Sequence, residues 1–397
     1  MKATTRFITV ITLTALLFSC RETYTPPQIT TNSNYLVVEG LINTGTDSTF
    51  FKLSRTVRLN AKTTTQNETH AIVTVESDAN AVYPLKEITP GTYASAPLGL
   101  SSTAKYRLRI ITNTNTHTTY LSDFAPVKNS PPIDSIGYTL QPDGLQIYAN
   151  THDATNNTRY YRYDFSEAWE FRTYYDSLFI PVLDPVQGPG YLKYRDLVNN
   201  NVNICWSNVY ATDIVLGSTA KLSQDELYQE PITFVPSTAE KLRIRYSINV
   251  KQYALTEDAF NFWQLLKKNT EQLGSIFDAQ PSSLIGNIHN IADNSEPVLG
   301  YISAGAIQQK RIFINNTTLP TSWVPLNIYL FPCSTDPKSS MTVPIADYAT
   351  YFYTGQYLPL FPVFDTAGNL IGYAGGIREC TDCTLKGYNK KPSFWKD

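Results

Sequence analysis

The residues equipped for chemistry are few: four histidines, five cysteines and a thin scatter of carboxylates in 397 residues. His70, His117, His152 and His289 are never four apart, which excludes the two-histidine metal helix of zinc proteases. His152-Asp153 would place a general base beside a carboxylate, but the plainer expectation is a turn closing a strand. Glu167 and Glu170, among Trp169 and Phe171, have the make-up of a glycosidase pair. Three apart on a strand they point to opposite faces, so shared acid–base work is not expected. Asp78-Ala79-Asn80 lacks the acidic residues that would complete a calcium loop, and there is no nucleophile elbow, phosphate loop or dinucleotide fingerprint. The expectation is a non-enzymatic protein, with no catalytic residue, metal site or cofactor to nominate.

The cysteines divide into one and four. Lys2 and Arg6 precede an apolar run from Phe7 to Phe18 that ends Leu17-Phe18-Ser19-Cys20. Twelve helical residues span about 18 Å, short of a ~30 Å hydrocarbon core, so the run reads as a signal peptide and not an anchor helix. Leucine three positions before a cysteine, with a small residue between, resembles a bacterial lipobox. That resemblance implies a diacylglyceryl group on the Cys20 thiol, further acylation, and removal of residues 1–19. Several acyl chains hold a protein to a membrane lastingly, where one holds only marginally. Residues 20–34, with Pro26 and Pro27, read as a tether.

Cys205, Cys333, Cys380 and Cys383 make an even set in an exported chain, which argues for two disulfides with three possible pairings. Cys380-Thr381-Asp382-Cys383 has redox-motif spacing, but Gly375-Gly376 before it and Gly387 and Pro392 after it leave no room for the long helix such a site needs. A four-cysteine zinc site would require two isolated, distant ligands. Disulfides that pin the C-terminal tail are the reading adopted.

The elements that position these groups are mostly strands. A charged fraction of 17% with 13% aromatics excludes a disordered chain, and 32 basic against 34 acidic residues excludes a polybasic nucleic-acid binder. In Lys105–Thr112, Tyr106, Leu108 and Ile110 share one face while Lys105, Arg107 and Arg109 share the other, the period-two mark of a half-buried strand. Similar runs at Tyr35–Ile42, Thr49–Val57, Ala71–Ser77 and Thr118–Ser122 suggest an immunoglobulin- or fibronectin-like β-sandwich over residues 35–126. Pro126, Pro131 and Pro132 mark a boundary, and a second β-rich sandwich domain is expected over residues 133–397. Its best strand is Lys241–Tyr253, with Lys241, Arg243, Arg245, Asn249 and Lys251 on a wet face. One inserted helix is expected near 256–273, capped by Thr256 and ended by Gly274, with Phe260, Trp263, Leu266 and Thr270 on one face. The last eighty residues read as an irregular tail. Within it Tyr348, Tyr351, Phe352, Tyr353 and Tyr357 form an aromatic cluster expected either to make a contact surface for a glycan, peptide or protein or to cover a sheet edge.

Several segments recur together in a known family: the Cys20 lipobox, Leu36-Val37-Val38-Glu39-Gly40, Leu53-Ser54-Arg55-Thr56, Tyr246-Ser247-Ile248 and Gly274-Ser275-Ile276-Phe277-Asp278 with Pro281 and Gly286-Asn287. Val298-Leu299-Gly300-Tyr301, Arg311-Ile312-Phe313-Ile314, the Cys380–Cys383 pair and Pro392-Ser393-Phe394-Trp395 complete the set. The chain thus resembles a family of Bacteroidota envelope lipoproteins, the domain of unknown function numbered forty-two forty-nine. The resemblance implies an outer-membrane-anchored accessory or binding component of a kind often encoded beside TonB-dependent receptors, with no catalytic residues attached. The alternatives are an envelope hydrolase with an unrecognised site and a structural or adhesive surface protein.

Overall fold

A computed structural model describes residues 34–57, 66–113, 117–184, 188–271, 284–335 and 340–396. Cys20, the signal peptide, most of the tether and Gly274 lie outside the described residues. The protein is mainly β, in three sheet-built parts.

The N-terminal part is one long sheet rolled over its own core. Its strand order runs Ile288–Asn290, Thr119–Ser122, Lys105–Ile111, Ile72–Ser77, Val82–Thr89, Thr92–Ser95, Thr49–Arg55, Leu36–Asn43 and Ala304–Gly305. Alternation drives the closure. Leu36, Val38, Phe51 and Leu53 from one end meet Val75, Tyr106, Leu108 and Ile110 from the other, all buried.

Both outermost strands come from far along the chain, so residues 35–126 alone do not complete this part, contrary to the sequence reading. Ile288, Val298, Ile302 and Ala304 belong to its core. The return is also held by polar groups: Arg55, whose Nε donates to Glu68 at 2.6 Å, reaches Glu296 at 4.0 Å, and the Tyr120 hydroxyl donates to Glu296 at 2.8 Å.

The middle part is a two-layer sandwich. A three-stranded sheet (Ile133–Gln141, Gly144–His152, Glu226–Pro236) packs on a larger one ordered Ile204–Tyr210, Tyr160–Arg172, Arg245–Ala254, Gln308–Asn315. Leu145 and Ile147 from the first face Tyr161, Tyr163, Ile248 and Val250 from the second. The strand expected from Lys241 begins instead at Arg245, because residues 240–242 form a 3-10 turn. That turn lets Lys241 Nζ reach inward to buried Glu167 at 2.6 Å, so Lys241 leaves the wet face.

The expected helix is present as Glu257–Glu271, with Thr256 Oγ1 accepting from the Ala259 amide at 3.2 Å. Among the described residues no helix is long and apolar enough to cross a membrane.

The tail is not irregular. Ser340–Pro344, Leu370–Ile377 and Tyr357–Phe364 form a three-stranded antiparallel sheet, and a hairpin of Phe179–Asp184 and Gly188–Tyr194 packs beside it. Tyr357–Phe364 lies at the edge of this sheet, and that place together with register shifts at Pro359–Pro362 and Val363–Phe364 accommodates its prolines.

Candidate ligand groove

A concavity with a volume of about 820 Å³ lies between the rolled sheet, the outer face of the middle sandwich and the helix. One wall is the outward face of the first two strands, where Glu39 stands opposite Lys52 and Leu41 opposite Phe50. Phe50 is 51% exposed, an unusual position for a phenylalanine on a sheet. The chain that closes this wall passes through Gly300 at φ +137°, where a Cβ would lie 2.2 Å from the Val38 carbonyl oxygen. Only glycine permits that approach.

The opposite wall is Tyr160–Arg172 paired with Arg245–Ala254, in the register Arg162↔Tyr253 and Asp164↔Lys251. The Arg162 guanidinium sits 4.4 Å from the ring centre of Tyr253 and 4.1 Å from that of Trp263. It also donates to Asp164 at 3.1 Å. Its Nε is buried and has no partner among the described residues. Burial, reinforced by Asp164, pushes the Tyr253 hydroxyl well above its usual range, so it stays protonated and a donor.

The helix joins the walls. Phe260 meets Tyr160 of the middle sandwich at 5.0 Å between ring centres, and Phe262 meets Tyr301 of the returning segment at 5.4 Å. Ala259 and Phe262 are its buried residues, while Trp263, Leu266 and Thr270 line the groove. Apolar side chains therefore surround a small set of charges, of which Arg162 is stacked on rings and paired with Asp164. This arrangement suits recognition of an organic molecule.

The nominated residues fall elsewhere. Cys205 pairs with Cys383 and Cys333 with Cys380, all four buried. Tyr348, Phe352 and Tyr357 are 2%, 1% and 8% exposed, and with Val343 they form the core of the C-terminal sheet. Tyr351 and Tyr353 are partly buried against that core, and the Tyr353 hydroxyl donates to the Val182 carbonyl at 2.7 Å. The contact-surface expectation for this cluster is therefore corrected: the rings are turned inward because a three-stranded sheet has little else to bury.

His152 bonds Asp134 at 2.8 Å and not Asp153. Asp153 instead organises a turn, and its carboxyl is held at about 2: burial opposes this, but donors from Thr155 and Thr158 outweigh it. Glu167 accepts from Lys241 and from the Tyr246 hydroxyl inside the sandwich, whereas Glu170 pairs with Arg172 outside. Among the described residues no three His, Cys, Asp or Glu side chains are grouped to hold a metal ion.

Of the groove residues, Lys251 was legible as part of a wet strand face and Trp263, Leu266 and Thr270 as one helix face. Arg162 and Phe50 were not singled out. The available signal was the consecutive pair Phe50-Phe51 on one strand, of which alternation turns one ring outward.

The family described as "Domain of unknown function (DUF4249)" matches residues 21–311. The chain belongs to that family. Every residue lining the groove falls within the matched span, and the C-terminal sheet follows it. Among solved structures, a two-domain fibronectin type-III segment of chicken tenascin is similar over 56% of this chain and 92% of that one, at 12% identity and a TM-score of 0.16. No curated protein matches this DUF4249 member.

Proposed function

We propose that this DUF4249 protein is a non-enzymatic binding or accessory lipoprotein, tethered to the outer membrane through Cys20 and working with a TonB-dependent receptor in nutrient uptake. The observation that carries the reading is the groove, whose walls come from two separately cored parts joined by one helix. Sites between such parts are where small-molecule ligands commonly bind. Two buried disulfides fit an exported body, since such bonds persist outside the reducing cytoplasm. The lipobox supplies the tether and the family resemblance supplies the receptor.

Affinity purification from detergent-solubilised membranes tests the partner, and mass spectrometry of the N-terminus tests the anchor. The expected result is a co-purifying barrel protein and a diacylglyceryl group on Cys20. Recovery of the protein alone, with an unmodified N-terminus, would overturn the reading.

A further inference from the structure

The groove carries more charge information than a generic apolar cleft. Its charged lining consists of Lys52, Arg162 and Lys251 against Glu39 and Asp164, so one positive charge is left uncompensated. The pairing shows where it lies. Asp164 is engaged by Arg162, and Glu39 stands opposite Lys52. Lys251 stands next to Asp164 in register, is exposed, and has no salt-bridge partner among the described residues. The buried, unpartnered Nε of Arg162 lies on the same floor. Around these groups stand Phe50, Leu41, Trp263, Leu266 and Ile307, all at least partly exposed.

We propose that the groove binds a small organic monoanion, a carboxylate carried on an aromatic or aliphatic body, with the carboxylate at Lys251 and the body against Trp263 and Phe50. This deepens the binding reading given above and rests on it. The physical argument is complementarity. A neutral apolar ligand would leave the Lys251 ammonium without a counter-charge as the groove loses water, whereas an anion restores balance and gains a charge-assisted hydrogen bond. A cationic ligand would meet net repulsion. The Arg162 guanidinium packs against the Tyr253 and Trp263 rings and is paired to Asp164, so it is already held in place before a ligand arrives. The volume of about 820 Å³ admits a body of one or two rings or a short chain.

The test uses the mature protein and isothermal titration with 2-naphthoate, indole-3-acetate and octanoate, each beside its own primary amide. The expected result is that acids bind about ten-fold tighter than amides, the factor one charge-assisted bond supplies. Lys251→Gln should abolish that preference, and Lys52→Gln should alter it much less. Trp263→Ala should weaken acid and amide alike. Circular dichroism shows whether each variant is folded, and Lys251, exposed on its strand, is a site where glutamine is tolerated.

Equal binding of acids and amides that depends on Trp263 would overturn the anion assignment while leaving the groove as a binding site. An acid preference that survives Lys251→Gln would overturn the placement of the carboxylate. No binding by any of the six would overturn the inference outright, and receptor co-purification would still decide the accessory reading separately.

Discussion

The rolled N-terminal sheet and the C-terminal three-stranded sheet solve the same problem by opposite means. Neither is completed by its own contiguous strands alone. The N-terminal part recruits a distant segment: Asn287 donates to the Ile302 carbonyl at 2.9 Å and accepts from the Ile302 amide at 2.8 Å, which seats Ile288 and Ile302 in the core. It contains no disulfide among the described residues. The C-terminal sheet has a core of a few rings around Val343 and is secured by two bridges. A sheet of three short strands buries too little apolar surface to offset the entropy of ordering it, and a cross-link reduces that entropy in the unfolded chain. The difference teaches that closure by packing demands a long chain return, whereas closure by covalent bonds works with little core.

The comparison breaks first at the cystines. Replacing Cys205 and Cys383 by serine removes a cross-link between residues separated by 178 positions, worth about 5 kcal/mol in the chain-entropy account. Cys333 and Cys380, separated by 47, are worth about 4 kcal/mol. Hydrogen exchange should show protection falling in residues 340–377 and holding in 36–55 and 72–111. An equal fall in both would mean that the two parts do not differ as argued.

A backbone change should strike the other side. Gly300→Ala forces a Cβ against the Val38 carbonyl at a φ that L-residues rarely adopt, and about 2–3 kcal/mol of destabilisation is expected. The loss should appear in the N-terminal sheet, with both disulfides and the C-terminal sheet unaffected. Denaturant melts followed by hydrogen exchange distinguish the two patterns, and an unchanged midpoint would contradict the close approach.

The smallest effect extends the comparison to the middle sandwich, whose own core lies between its two sheets. His152 and Asp134 sit on neighbouring strands of the middle sandwich, and their hydrogen bond, aided by charge attraction, raises the imidazole above its usual 6.5. A raised histidine favours the folded state fully below the unfolded value and loses that contribution as pH rises through the folded one. Asp134→Asn should therefore lower the His152 titration midpoint measured by NMR and remove a slight stability advantage of pH 5.5 over pH 8. An unmoved midpoint would show that the pair is not formed in solution.

Much of the strand content was legible because alternation is a local signal. Ile72–Ser77 and Lys105–Ile111 fall within one residue of where their apolar faces place them, and Thr256 marked the helix start. The returning strands were not legible: Ile288–Asn290 and Ala304–Gly305 are three and two residues long, too short to show a period. The C-terminal strands were masked by Pro359, Pro362, Gly375 and Gly376, which read as breakers until bulges absorb them. Tyrosine misled for a simple reason. A ring with a hydroxyl suits a wet surface and, as Tyr348 shows, a small core equally well.

Composition and periodicity by themselves determined that this chain would be strand-rich, with one capped helix and cysteines in bonding number. Only the tertiary structure decided that Cys205 meets Cys383, that residues 287–306 close the first sheet, and that Phe50, Arg162, Lys251 and Trp263 share a groove. The reason is range. Backbone and side-chain preferences act over a few residues, while proximity across a hundred or more arises only once cores form and fix the elements against one another.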